Sequence, residues 1–336
     1  MSLRPFAYER PTSIADTIAL LDGGGLASGS GARPLAGGTD LLTLMKAEIT
    51  APERLVDIKR LVDLTDEIAV TEHGVEIGAL ATLAEIETSP FILSLAPALA
   101  QAAGLAATPQ LRNMATIGGN LLQRPRCWYF RDAAVPCWLK GGDGCPARDG
   151  ENQLHAIFDT SPCVAVHPSD LATALTALDA SIVTHGPTGE RVIPIEEFFA
   201  PPDEERRTEN TLHADELVTS VRISTQPNGA RSAYLKAMDR KVWAFALVSA
   251  AVSLGVRDGV VTHARIVLGG VANVPWRARE AEEAVIGGAA TDDALAAAAE
   301  RALNDARPLA RNGYKVPLGQ TLVRRALTEC RDTPGE

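Results

Sequence analysis

Arg33-Pro34-Leu35-Ala36-Gly37-Gly38-Thr39-Asp40-Leu41 reads as a strand that runs into a paired-glycine turn and leaves it as a helix. Glycines at such a junction let the backbone come close to an anion, and successive N–H groups form a concavity that suits phosphate. The start of the following helix, read as Leu41 to Glu48, adds its positive dipole end. The pattern is neither GxGxxG nor a Walker loop, so a Rossmann dinucleotide domain is poorly supported. Upstream, Pro5 to Arg10 reads as a short strand, and Ser13 as the cap of a helix through Ile14, Ile18 and Leu21 ending in Gly23-Gly24-Gly25. Downstream, Leu55 to Ile58 reads as a third strand. Residues 1–60 thus form a β-α-β-α-β unit.

A second unit covers 61–225. Ile68–Val70 and Val75–Ile77 flank His73-Gly74 as a hairpin, Thr82 caps a short helix, and a longer helix spans Phe91 to Leu105. A second glycine turn, Thr116-Ile117-Gly118-Gly119-Asn120, precedes a long irregular segment of about 121–168. His167-Pro168-Ser169-Asp170 then leads into an alanine-rich helix, and Ala180–Val183 resumes the sheet. Pro201 to Glu209, charged and proline-containing, reads as a surface loop or linker. The third unit, 226–336, has strands at Ser232–Met238, Trp243–Val256 and Val260–Leu268. The last two are joined by the tight turn Arg257-Asp258-Gly259. Helices follow at about Arg277–Ile286, Asp292–Ala306 and Gly319–Cys330, which makes this an α+β unit.

Four of the five cysteines, Cys127, Cys137, Cys145 and Cys163, fall inside the irregular segment, with spacing Cys-x9-Cys-x7-Cys-x17-Cys. No CxxC knuckle is present, which argues against a zinc ribbon or a ferredoxin-type run. A loop that long without its own secondary structure is uncommon unless it is functional, and a ligated cluster would hold it together. Pro125, Pro136, Pro146 and Pro162 each lie within two residues of a cysteine. Arg124, Arg126, Arg131, Lys140 and Arg148 would offset the negative charge of four thiolates around a [4Fe–4S] core, and Trp128, Tyr129, Phe130 and Trp138 could shield it. Two blander readings stay open: inert buried thiols, and zinc, with His155 or His167 as a fourth ligand. Cys330 reads as a bystander.

With 336 residues, 46% hydrophobic and 22% charged, the composition is that of a globular protein of two or three domains. A net charge of −10 argues against nucleic acid as a partner, which would need a basic surface. No apolar run reaches the roughly 20 residues of a membrane span. The N-terminus has no export signal, and the odd cysteine count disfavours a disulfide scaffold.

Pro34 to Leu42, Leu111-Arg112-Asn113-Met114-Ala115-Thr116-Ile117-Gly118-Gly119-Asn120-Leu121 and Pro168-Ser169-Asp170 together resemble the FAD-binding medium subunit of the molybdenum hydroxylases. Leu268 to Ala278 is similar to the start of that family's C-terminal domain. Common members lack a long segment between the second glycine turn and Ser169-Asp170. The extra residues, with Asn120 to Cys127, Tyr129-Phe130, Cys163 and His167 to Asp170, look closest to the aldehyde oxidoreductase subunit that holds an additional [4Fe–4S] cluster. The β subunit of 4-hydroxybenzoyl-CoA reductase is the nearest rival.

The resemblance implies an α+β chain: a two-subdomain FAD-binding fold of the vanillyl-alcohol-oxidase/PCMH type, followed by an α+β C-terminal domain of antiparallel sheet and helices. Arg33 to Leu41 would wrap the FAD pyrophosphate, with the N–H groups of Gly37, Gly38 and Thr39 as donors. Asp40 would turn away and cap the next helix. Thr116, Gly119 and Asn120 would form the second face, and Asp170 would hydrogen-bond the adenosine end. Val218 and Lys236 would meet the flavin end, and the four clustered cysteines would ligate the iron. It implies an electron-transfer subunit of an oxidoreductase with no catalytic acid, base or nucleophile of its own. Its partners would be a large molybdenum-cofactor subunit and a small [2Fe–2S] subunit in an αβγ heterotrimer, with an external electron acceptor and no membrane partner. Localisation would be cytoplasmic, or periplasmic by export on a partner's twin-arginine signal. Two further rivals are a zinc-stabilised interaction subunit without flavin and a stand-alone FAD reductase.

Overall fold

The computed structural model describes residues 3–21 and 31–333; the expected helix end at Gly23-Gly24-Gly25 lies outside them. The first sheet contains β1 (Ala7–Glu9), β2 (Ala32–Leu35) and β3 (Arg54–Asp57) in the order β1-β3-β2, with parallel pairing. Parallel neighbours need crossover connections, and the helix Leu41–Lys46 supplies the one from β2 to β3. Ser13 caps the helix Ile14–Leu20 by accepting the Asp16 N–H.

The second sheet is antiparallel: β4 (Ile68–Thr71), β5 (Gly74–Gly78), β6 (Ser181–Gly186), β7 (Gly189–Pro194) and β8 (Leu217–Ser224), in the order β4-β5-β8-β6-β7. Between β5 and β6 the chain builds a helical layer whose first helix, Leu83–Thr88, starts in a reciprocal Thr82–Glu85 capping box. The single helix expected over Phe91–Leu105 is two, Pro90–Leu95 and Pro97–Leu105. Pro97 causes the break: its ring clashes with the preceding turn and has no N–H to continue the ladder. Leu99, Ile92, Ile117, Leu175 and Val221 meet in the core between this layer and the sheet.

The third sheet holds β9 (Ala230–Ala237), β10 (Val248–Arg257), β11 (Val260–Gly269) and β12 (Trp276–Arg277), all antiparallel. Asp258 and Gly259 both have positive φ, 52° and 76°, the signature of a type I′ hairpin turn. The expected strand start at Trp243 is wrong. Residues 238–247 are irregular, Trp243 has φ 55°, and pairing begins at Val248. The helix Lys315–Asp332 lays Leu322, Val323, Ala326 and Leu327 on the sheet's core with Val252 and Ile266.

The cysteine segment is more structured than expected. It contains a helical turn, Trp128–Arg131, and a 3-10 turn, Trp138–Lys140. Phe130, Cys137, Trp138, Leu139, Cys163 and Ala165 make a small core of their own, joined by Leu44 from the helix after the first glycine turn. The C-terminal unit grips this segment. The buried Lys315 donates to the carbonyls of Leu154 (3.0 Å), His155 (2.9 Å) and Gly270 (2.7 Å). Asn312 donates to those of His155 and Ala156, and the Asn152 amide oxygen accepts the Arg311 N–H.

The stretch 201–209, expected to be a linker, is a strap. Ser161 donates to Pro202 O, and Arg207 donates to Trp138 O while its guanidinium lies 4.7 Å above that indole ring. Arg124 pairs with the buried Glu209 at 3.0 Å. Among the described residues no helix is long and apolar enough to cross a membrane.

Candidate functional site

The main cavity, about 350 Å³, opens between the first and second sheets and is lined by the whole stretch Ala32 to Leu41. That volume is in the usual range for a ligand cleft. The end of β2 aims its glycine turn at the second one. A Cβ on Gly37 would sit 1.7 Å from Met114 O, so only glycine lets the two turns meet. Gly38 has φ +72°, the left-handed region that glycine enters without a steric cost. The N–H groups of Gly37, Gly38 and Thr39 donate to no other protein group among the described residues, which leaves three successive donors without a partner in residues that line the cleft. That is the cradle a pyrophosphate needs.

Thr116, Gly119 and Asn120 form the opposite wall. The Thr116 hydroxyl accepts the Gly119 N–H at 3.2 Å, and Gly118 donates to Ala79 O, which pins the second turn to the end of β5. Val218 lines the cleft as well. Sequence reasoning missed most of the third wall, which includes Thr208, Asn210, Leu212 and Glu216, because this stretch carries no glycine signature. Its only signal is proximity in sequence to Val218.

Parts of three expectations fail on geometry. Asp40 does turn its side chain away, but at the N-terminus of the helix Leu41–Lys46 it makes no side-chain cap. Its carboxylate turns instead to the cysteine segment: it accepts the Arg124 N–H (2.9 Å) and pairs with Arg126 (2.9 Å) and Arg131 (2.8 Å). Asp170 does not face the large cleft. It is buried, pairs with Lys236 at 2.7 Å and accepts the Tyr234 hydroxyl. Burial pushes its pKa up, and Lys236 opposes that shift. Lys236 is committed to the same pair and to Leu105 O, so it too lies off the cleft. A buried acid needs a buried base, and here the two satisfy each other.

Cys137 and Cys163 are buried in one small core with Cys127 packed against it, and Cys145 packs against a second, neighbouring cluster that contains Ala147, Ala156 and Val164. The Ala165 N–H donates to Cys163 Sγ at 3.4 Å. N–H donors of this kind stabilise ligated thiolates. Burial pushes Cys127 up to about 11 and raises Cys137. A hydrogen bond between Cys145 and Cys163 lowers the first and raises the second. No three His, Cys, Asp or Glu side chains among the described residues converge as a single metal ion would require. Zinc would need its sulfurs all about 2.3 Å from one ion; a four-iron core would take one thiolate per iron around a wider core.

His155 is buried, with Nε2 3.2 Å from Cys127 Sγ and Nδ1 lacking a partner. His167, also buried, accepts the Ser169 N–H. Burial lowers the pKa of His155 to about 4 and of His167 to about 3, from 6.5. Between those values and 6.5 the unfolded chain takes up protons that the folded chain refuses. Their contribution to stability is therefore complete above pH 6.5 and is lost as pH falls. One unit below 6.5, at pH 5.5, each histidine costs about 1.4 kcal/mol. The thermal midpoint should fall between pH 7 and pH 5.5, and His167→Asn, which keeps an acceptor, should flatten the decline. A midpoint independent of pH over that range would contradict the assignment.

Residues 4–225 match the family described as the FAD binding domain in molybdopterin dehydrogenase, and residues 233–330 match the CO dehydrogenase flavoprotein C-terminal domain. The chain is 38% identical to the aldehyde oxidoreductase FAD-binding subunit PaoB of Escherichia coli, over 98% of this chain and 99% of that one. It is 30% identical to the carbon monoxide dehydrogenase medium chain of Afipia carboxidovorans, over 97% and 96%. Among solved structures, carbon monoxide dehydrogenase from Hydrogenophaga pseudoflava superimposes with a TM-score of 0.77 at 30% identity, covering 98% of this chain and 99% of that one.

Proposed function

Because the chain belongs to the FAD-binding medium subunits of the molybdenum hydroxylases, we propose that it is the FAD- and [4Fe–4S]-carrying subunit of a molybdenum-dependent aldehyde oxidoreductase. The observation that carries the reading is the combination of an end-to-end relative among aldehyde oxidoreductase subunits with four cysteines in one segment, Cys127, Cys137 and Cys163 around one small core and Cys145 at a neighbouring one. Substrate is oxidised on a large molybdenum-cofactor subunit, and a small [2Fe–2S] subunit completes an αβγ heterotrimer. The assembly resides in the cytoplasm, or in the periplasm after export on a partner's signal.

When bound, FAD supplies two-electron chemistry between the partner's [2Fe–2S] clusters and an external acceptor. The residues here bind and orient it. Gly37, Gly38 and Thr39 offer their free N–H groups to the pyrophosphate, and Arg33 to Leu41, Thr116, Gly119, Asn120 and Val218 wall the cleft. Asp170, with Lys236, acts from behind the wall by fixing the helix Asp170–Ala177 to β9. Cys127, Cys137, Cys145 and Cys163 are the ligands of a [4Fe–4S] cluster, a one-electron centre that also ties the segment covalently. His155, whose one polar side-chain partner among the described residues is Cys127 Sγ, orients that sulfur.

Anaerobically purified protein is expected to contain one FAD and four irons per chain, with flavin bands over broad iron–sulfur absorbance. Co-expressed with its partner chains, it should reduce an acceptor with aldehydes as donors. Colourless, zinc-containing protein would overturn both cofactor assignments. Turnover of an aromatic CoA thioester in place of aldehydes would move the complex to the reductase branch.

A further inference from the structure

The helix Leu41–Lys46 leaves the glycine turn and is held at its first turn by the cysteine segment from two sides. On the polar side, both carboxylate oxygens of Asp40 are taken up by that segment: Oδ2 by the Arg124 N–H, and Oδ1 by Arg126 and Arg131. Arg131 is itself fixed. Its Nε donates to Pro125 O at 2.8 Å, Nη2 to Arg124 O at 2.9 Å, and Nη1 to Thr43 Oγ1 at 3.4 Å. On the apolar side, Leu44 packs into the small core that contains Cys137 and Cys163. The turn presenting the Gly37, Gly38 and Thr39 donors is thus anchored through a helix whose own anchor lies 84 to 91 residues further along the chain.

Charge makes the same point. A carboxylate directly after three phosphate-facing N–H groups would repel a pyrophosphate. Two guanidinium groups from the cysteine segment cancel that charge where it stands. Arg124 and Arg126 also line the cleft, so part of the segment borders the same cavity.

We propose that the cysteine segment acts as a lock on the FAD site, with Asp40 and Arg131 as positioning residues, so that FAD affinity and the folded state of the segment are thermodynamically coupled. This rests on the FAD reading but not on the identity of the metal. Coupling between two sites is reciprocal: if the folded segment tightens FAD binding, FAD must stabilise the segment by the same factor.

The test is FAD titration of flavin-stripped full-length protein, with limited proteolysis of the 121–168 segment in the presence and absence of FAD. Arg131 does not line the cleft, so Arg131→Ala leaves the cleft lining in place and removes the tie to Asp40 together with the bonds to Pro125 O and Arg124 O that fix it within the segment. The FAD dissociation constant should rise about 5- to 150-fold, the usual range of coupling, and Arg131→Lys should recover part of the loss. Asp40→Asn combined with Arg131→Ala should be no weaker than the worse single variant, since both act through one link. FAD should slow cleavage of the segment in wild-type protein but not in Arg131→Ala. Thermal midpoints by circular dichroism confirm that the variants fold. Equal FAD affinity in wild type and Arg131→Ala would overturn the lock alone. Wild-type protein that takes up no FAD would overturn the FAD reading and the lock together.

Discussion

Gly37→Ala is expected to yield folded protein without flavin. The added Cβ would stand 1.7 Å from Met114 O and 2.6 Å from Met114 C, and the obstacle is backbone, which no rotamer change can clear. Met114 leads directly into Ala115 and Thr116, so relief means pushing the two glycine turns apart. Those turns carry the donors of both cleft walls, and a displacement of an ångström or more takes the N–H groups of Gly37, Gly38 and Thr39 out of hydrogen-bond range of one bound group. Overpacking of this kind costs about 1–3 kcal/mol. With each 1.4 kcal/mol worth about tenfold in affinity, FAD binding should weaken by roughly 100-fold. Gly38→Ala should be milder: its added methyl meets flexible leucine side chains, and the main penalty is a left-handed φ worth about 1–2 kcal/mol. Flavin content after gel filtration distinguishes them, and stoichiometric FAD in Gly37→Ala would refute the cleft assignment.

Cys137→Ser should take the iron from about four per chain to near zero. Cys137 is buried in the small core with Cys163. A serine oxygen in that position is a poor ligand for iron, and one missing thiolate leaves a cluster open to solvent and loss. FAD should remain but bind more weakly, because the core that packs Leu44 has lost its tie. Cys330→Ser is the control: Cys330 sits in the last helix with its sulfur 3.8 Å from Val252 O, far from the set in sequence and in a different core. Iron quantification and visible absorbance read both variants. Unchanged iron in Cys137→Ser would remove that residue from the ligand set.

Signals carried by neighbouring residues were legible in the sequence. The glycine turns, the Ser13 and Thr82 caps and the Asp258-Gly259 hairpin depend on a few adjacent residues, and their positions follow from φ sterics and capping chemistry. The Pro97 break was equally local, but the alanine-rich pattern on both sides of it reads as one helix. Partners far apart in sequence were not legible. Asp40 could not be matched to Arg126 and Arg131, nor Asp170 to Lys236, because a charge run gives no address for its counter-ion. Residues 201–209 look like a linker by composition. They act as a strap because Arg207 lies over the Trp138 ring and the Pro202 carbonyl accepts the Ser161 hydroxyl, both partners being far away in sequence. The third cleft wall was missed for the same reason.

The grip of Asn312 and Lys315 on residues 154–156 sets an order of events during synthesis. A nascent chain emerges N-terminus first at about 5–20 residues per second, so the cysteines leave the ribosome well before the amide and ammonium that fasten their loop. For that interval the four thiols stand on an unfastened tether, exposed to oxidants and to any scavenging metal. The loop is clasped only once Asn312 and Lys315 have themselves left the ribosome. A truncation that removes them would leave the cysteine loop without that clasp.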